Sequence, residues 1–355
     1  MPEAEGQELI IRREGRAGRI TMNRPKALNA LNYPMVVACA EALRQWENDP
    51  EVALIILDGA GDRGLCAGGD VRALHDTAPQ GSALARQFWS TEYRLNATIC
   101  RYPKPFVCFM DGIVMGGGIG LAGHASHRIV TERSQLAMPE TSIGLIPDVG
   151  GTWLLAHAPG EVGAYLGLLG ERMHGAGAIF AGFADSFVPS PRLPELATTL
   201  ATAKASVDEI IQAFAETPPA SDLAARAAEI DKAFSFDRVE QIRKALKAMD
   251  SEWAHKTRVE LDRRSPLALK LTLAAIRNAR NLPALEDALN VEFRLTVRLF
   301  EHGEFIEGVR ALLVDKDKSP KWKPPTLAEV SPDMVAGFLR PLPHAEALEL
   351  SAPDA

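Results

Sequence analysis

Three times in its first half the chain passes from an apolar run into a glycine-rich turn and then into helical sequence. VALIILDGA (52–60) is a continuous aliphatic run closed by glycine, followed by GLCAGGD (64–70) and helical sequence from about Ser82 to Cys100. KPFVCFMDGIVMGGGIGLAGHASHRIVTE (104–132) reads as strand, glycine-rich turn, short helix and strand, the last over Arg128–Glu132. AMPETSIGLIPDVGG (137–151) is a further glycine-punctuated loop, leading into a helix around Trp153–Ala156. Strands without polar alternation are covered on both faces, so this pattern predicts an α/β fold whose working surface lies on the turns. Ahead of it, residues 8–13 and 18–22 alternate like a hairpin around Gly15 and Gly18, and residues 34–47 carry a helical apolar period with Pro34 in the first turn.

The strand signals largely stop at VPSPRLPEL (188–196), where proline and serine concentrate. From about residue 197 the sequence is dominated by helical periodicity, as in VEQIRKALKAMDSEW and PALEDALNVEFRLTVRLFEHGEF. The expected division is therefore an α/β core over 1–196 and a mainly helical region over 197–355, with a basic loop DKDKSPKWKPP (315–325) before an acidic tail. A net charge of -7 and a pI near 5.7 argue against a nucleic-acid partner. No apolar run reaches the roughly 20 residues that cross a bilayer, and the acidic start MPEAEGQE reads as neither signal nor transit segment. Cys39, Cys66, Cys100 and Cys108 form no CxxC pair and are expected to be reduced, buried small residues. These features lead to the expectation of a soluble, cytoplasmic protein.

Glycine is used where the backbone takes positive φ or where a ligand approaches the N–H groups closely. Ala67-Gly68-Gly69-Asp70 and Gly116-Gly117-Gly118 are two such turns. Two N–H donors converging on one point form an oxyanion hole for a thioester carbonyl, and tight strand–helix packing is the bland alternative. Gly118-Ile119-Gly120-Leu121-Ala122-Gly123 also fits GxGxxG, but the acidic residue that dinucleotide binding needs about 20 positions later is missing, Glu132 coming too early.

Glu140 and Asp148 lie in apolar sequence rather than in a charged surface run. A carboxyl in an apolar pocket has a raised pKa, and two of them divide the roles of acid and base. A turn or N-cap role is the competing explanation for Asp148. No GxSxG elbow is present, and His124 and His127 have no third ligand at metal spacing, so neither a serine hydrolase nor a metal site is expected. The lysines of 315–325 read as a solvated loop.

Asn23-Arg24-Pro25 with Ala27–Leu31, Cys66–Asp70, Gly112 with Gly116–Gly118, and Pro139-Glu140 with Gly144, Pro147 and Gly150-Gly151 resemble, in order, the motifs of the crotonase (enoyl-CoA hydratase/isomerase) superfamily. MPETSIGLIPDVGG, Glu92–Asn96 and FIEGVRALLVDKDKSPKWKP are similar to the 3-hydroxyisobutyryl-CoA hydrolases within it, and the likeness runs nearly the whole chain. That resemblance implies a crotonase-type spiral of β-β-α units with a helical C-terminal region. It implies an oxyanion hole from the N–H groups of Gly69 and Gly117, and substrate contacts at Glu92, Gly117, Glu140 and Asp148, the last two catalytic. CoA would lie along Lys26, Ala27, Ala67, Gly68, Gly69, Asp70 and Val71. It further implies hydrolysis of a hydroxyacyl-CoA in valine breakdown, no metal, no cofactor beyond the substrate's own CoA, and a homo-oligomer, trimer or hexamer. Hydratases of the superfamily carry their first catalytic glutamate where this chain has Gly120, and glycine where it has Asp148. A hydratase or isomerase with one glutamate, and a non-catalytic acyl-CoA-binding protein, are the alternatives.

Overall fold

A computed structural model describes residues 7–352; the acidic start and the last tail residues lie outside them. Among these described residues the ten strands are β1 Leu9–Glu14, β2 Ala17–Met22, β3 Leu54–Gly59, β4 Gly64–Cys66, β5 Phe106–Met110, β6 Ile113–Met115, β7 His127–Val130, β8 Gln135–Ala137, β9 Met173–His174 and β10 Ser186–Phe187. They form a six-stranded sheet in the order β1-β2-β3-β5-β7-β10 and a four-stranded sheet in the order β4-β6-β8-β9. Consecutive strands alternate between the sheets: β3, β5 and β7 enter the larger one, and the short strand after each enters the smaller. A helical segment then follows each pair, which is the β-β-α spiral. In the sequence each short second strand is indistinguishable from the glycine turn beside it, because three residues are too few to show a period.

β1 and β2 form the antiparallel hairpin, turned at Gly15 with φ 56°, and β2, β3, β5, β7 and β10 run parallel. Leu54, Ile56, Val107, Phe109 and Ile129 bury one face of this sheet under the helices Leu193–Thr202 and Val207–Phe214. Both faces of β3 and β5 are covered, which is why VALIILDGA and PFVCFM carry no polar alternation. Three cysteines are buried as expected. Cys100 is exposed, because it is the last residue of the Ala83–Cys100 helix, past the stripe that packs inward.

The chain divides into two compact units that alternate along the sequence. The first takes the chain up to Gly69, Arg94–Leu136 and Met173–Leu223, and contains both sheets apart from Ala137. The second takes Asp70–Tyr93, Ala137–Arg172 and the chain from Ala224 onward, and is helical. Its centre is the Pro266–Ala279 helix, started by Ser265, whose hydroxyl accepts from the N–H of Ala268 at 3.0 Å with Pro266 at the first position. The helices Gly151–Ala156 and Val162–Leu169 meet at Gly163, where any Cβ would lie 1.7 Å from the Leu155 carbonyl oxygen. Arg310 gathers Glu307, Asp315 and Asp317 at the base of the exposed basic loop. Among the described residues no helix is long and apolar enough to cross a membrane.

Thr272 lies fully buried in the central helix with its hydroxyl unpartnered. Thr272→Val keeps the shape and removes that unsatisfied group, so it should stabilise the protein by about 1 kcal/mol. Urea unfolding checks this; an unchanged or lower midpoint would show that the hydroxyl is satisfied in solution.

Candidate active site

In the first unit, the two glycine turns follow two adjacent parallel strands. β4 pairs with β6 through Cys66 and Val114, and the turns Ala67–Gly69 and Gly116–Gly118 leave the same ends of these strands. A Cβ on Gly68, whose φ is 111°, would lie 3.2 Å from the Met115 carbonyl oxygen and 3.7 Å from the Gly117 nitrogen. Gly116 has φ 48° and ψ −120°, a conformation closed to residues with side chains. The bridge between Leu31 and the first turn uses the Gly68 carbonyl, at 2.8 Å from the Leu31 N–H, and in the second turn the N–H groups of Ile119 and Gly120 both return to the Gly116 carbonyl. The N–H groups of Gly69 and Gly117 stand outside these bonds.

The segment carrying Lys26 and Ala27 lies beside the first turn. The Ala67 N–H donates to the Leu28 carbonyl at 3.0 Å, and Lys26 and Ala27 are exposed on a short 3-10 helix. Leu28 and Asn29 both have positive φ. Buried Asn29 holds that strained turn: its side chain accepts from the Arg24 N–H at 2.8 Å and donates to the carbonyls of Ala60 and Gly64 at 3.0 and 2.9 Å. In the second unit Asp70 caps the helix Val71–Thr77, its carboxylate accepting from the Ala73 N–H. That helix was not anticipated from the sequence.

The second unit brings together Glu92, Glu140 and Asp148, and adds a fourth acid, Glu292. Glu140 opens a 3-10 turn, Glu140–Ile143, closed by Gly144 at φ 70°. Asp148 is no N-cap: its side chain accepts a hydrogen bond from the Tyr93 hydroxyl at 2.7 Å. Val149 and Gly150 then take φ 54° and 80° in succession, and for a β-branched residue this costs about 1–3 kcal/mol. The turn is held by Glu292, which accepts from the N–H groups of Gly150 at 2.7 Å and Thr152 at 2.9 Å and from the Thr152 hydroxyl. Thr296, one helical turn beyond Glu292, is 3.1 Å from the Tyr93 hydroxyl and donates to the Glu292 carbonyl.

All four acids are buried, and no Lys or Arg is among the groups that shift them. Burial therefore dominates, and it favours the protonated forms. Glu92 and Glu140 are raised well above the ordinary carboxyl range, by burial first and then by the charge of Asp148. Glu292 is pushed up to about 8 by burial, against the pull of its donors. Asp148 rises only to about 6, because the Tyr93 hydroxyl and its own N–H favour its charged form. One ionised and several protonated carboxyls at neutral pH is an arrangement suited to moving protons. Glu92 Oε1 and Glu140 Oε2 have no hydrogen-bond partner, and on the same helix as Glu92 neither amide atom of buried Asn96 has one.

Tyr93, Thr152, Glu292 and Thr296 were missed as site residues from the sequence. A signal was present: with apolar residues at 285, 288, 289, 293, 297 and 300, the helical period places Glu292 and Thr296 inside the stripe that packs inward. His127 pairs with Asp208 at 3.1 Å, and no cluster of potential metal ligands occurs among the described residues. A cavity of about 680 Å³ bordered by Ser82, Phe300, Gly303 and Lys323 contains none of the four acids.

Residues 17–339 match the enoyl-CoA hydratase/isomerase family. The chain is 40% identical over 344 residues to the mitochondrial 3-hydroxyisobutyryl-CoA hydrolase of Gallus gallus, covering 94% of this chain and 89% of that protein. Against the Homo sapiens protein of the same name it is 39% identical over 334 residues, covering 92% and 86%. Two solved structures superpose with TM-scores of 0.91. One, described as a carnitinyl-CoA dehydratase from Mycobacterium thermoresistibile, is 45% identical and covers 95% of this chain and 97% of its own. The other, described as an enoyl-CoA hydratase from Rhodobacter sphaeroides 2.4.1, is 44% identical and covers 97% and 100%. These names divide between hydrolase and hydratase chemistry at comparable identity, so the choice falls to the residues of the site.

Proposed function

The chain belongs to the enoyl-CoA hydratase/isomerase family, and within it we propose that the protein is an acyl-CoA thioester hydrolase acting on 3-hydroxyisobutyryl-CoA, as its curated relatives are named. The observation that carries the reading is the buried Asp148, held by Tyr93 and electrostatically linked to Glu140. A hydratase is expected to have a glutamate at position 120, and Gly120 has no side chain to fill that role. Binding alone calls for neither buried acid, since isolating them from cations costs stability.

In the proposed reaction the N–H groups of Gly69 and Gly117 accept the charge that develops on the thioester oxygen. Glu140 and Asp148 hold one proton between them, resting on Glu140. That proton passes to Asp148, and Glu140 then takes a proton from the water that attacks the carbonyl carbon. As the tetrahedral intermediate collapses the C–S bond breaks, and Asp148 protonates the departing CoA sulfur. The acyl group leaves as the carboxylic acid, and the pair returns to its starting state. Direct attack by Glu140 to form a mixed anhydride is the other route open to the same residues. Glu92 holds the substrate's 3-hydroxyl. Water is the only co-reactant, and no cofactor is needed.

The test is CoA thiol release from 3-hydroxyisobutyryl-CoA, run beside hydration of crotonyl-CoA. Thiol release should dominate; hydration at a comparable rate would favour the hydratase reading, and tight acyl-CoA binding with neither product the non-catalytic one. The same assay reads the proton bookkeeping. Below the Asp148 pKa of about 6 the pair carries two protons, so kcat/KM should fall with pH on the acid side of 6. Tyr93→Phe removes the donor that favours ionised Asp148, and should move that limb to higher pH by about 1 unit. A limb unmoved by Tyr93→Phe would remove Asp148 from the mechanism. A cytoplasmic location and a trimeric or hexameric assembly complete the reading. Cell fractionation and sedimentation velocity test them, the animal relatives being named as mitochondrial.

A further inference from the structure

Glu292 takes no part in the proton cycle above, yet three donors converge on its buried carboxyl. We propose that Glu292 is the positioning residue for Asp148, clamping the left-handed turn Val149-Gly150 so that the acid before it points at the reacting atoms. This inference rests on the reading that Asp148 works in thioester hydrolysis.

The geometry closes a ring around Asp148. Behind the acid, Glu292 Oε2 holds the Gly150 N–H at 2.7 Å and Oε1 holds the Thr152 N–H at 2.9 Å. In front of it, Tyr93 donates to the carboxylate at 2.7 Å and is itself backed by Thr296 at 3.1 Å. Glu292 and Thr296 are four residues apart on the Leu285–His302 helix, and the Thr296 hydroxyl donates to the Glu292 carbonyl at 2.8 Å. One helix face therefore sets both the backbone before the Gly151–Ala156 helix and the ring that orients the acid. A valine at positive φ does not hold that conformation by preference, so it requires a clamp. A carboxyl supplies one in either protonation state because both of its oxygens keep a lone pair that can accept, whereas the NH2 of an amide has none.

The test compares Glu292→Gln and Thr152→Val with the parent, by steady-state kinetics and by hydrogen exchange. Gln at 292 turns an NH2 toward one of the two peptide N–H groups. The expected result is a kcat lowered about 10- to 100-fold with KM nearly unchanged, and faster exchange confined to residues 146–153. Thr152→Val removes only a hydroxyl donor, so it folds even where the first variant does not, and should show a smaller loss of kcat with the same local exchange. Parental kcat in both variants overturns the proposal. So does local exchange without a kcat change, or global unfolding of Glu292→Gln with Thr152→Val unaffected. Should the parent release no CoA, the hydrolase reading falls, and exchange at 146–153 still decides whether Glu292 clamps the turn.

Discussion

Glu140→Gln should lower CoA release from 3-hydroxyisobutyryl-CoA by about 10²- to 10⁴-fold while leaving the protein folded. The glutamine copies the protonated carboxyl that burial favours, so it fits the same space, but it has no proton to give up and no charge with which to take one. The sign of the stability effect follows from the raised pKa. A carboxyl whose folded pKa lies above its unfolded value stabilises the fold relatively more at low pH, and that contribution is lost as pH rises past the unfolded value. Replacing it by an amide removes the loss, so at neutral pH the variant should melt at or above the parent's temperature. Activity within tenfold of the parent would take Glu140 out of the chemistry. Single turnover in oxygen-18 water separates its two routes: label in Glu140 supports the anhydride, and its absence leaves the general base.

Gly118→Ala is expected to cost kcat about 10²- to 10³-fold, the scale of losing one oxyanion donor. A Cβ at this position would lie 2.4 Å from the carbonyl oxygen of Cys66 and 3.1 Å from its carbon. Those atoms are backbone in a buried strand and cannot turn aside, so the Gly116–Gly118 turn must move and carry the Gly117 N–H with it. Overpacking should cost about 1–3 kcal/mol in stability as well. Alanine is otherwise favoured over glycine within a helix, so any loss reports the clash. Gly337→Ala is the control: a Cβ there meets nothing within 4 Å, and its Pro332–Leu339 helix should be unaffected or slightly stabilised. Parental kcat in a folded Gly118→Ala protein would show that this turn does not hold the thioester oxygen.

The fold's repeating unit was legible because its signals are local. Uninterrupted aliphatic runs mark strands covered on both faces, and glycines mark turns where a side chain would collide, as Gly118 does with Cys66. The hairpin at Gly15 and the helices Tyr33–Glu47 and Ala83–Cys100 follow from patterns a few residues long. Glu140 and Asp148 stood out as acids within apolar sequence, and the order of the motifs identified the family. The three-residue strands and the exposure of Cys100 were not legible, since neither has a pattern long enough to read.

What the tertiary structure alone decided is the state of the acids. Glu292 reaches Gly150 across 142 residues of sequence, and Thr296 reaches Tyr93 across 203. Periodicity placed Glu292 on a helix but could not say which side chains it faces. Nor could the sequence rank the four carboxyls: each is the same chemical group, and only burial, neighbouring charge and the single hydroxyl of Tyr93 separate Asp148 from Glu92 and Glu140. Residue types and local spacing are properties of the chain, whereas a pKa is a property of the surroundings, which exist only once the chain has folded.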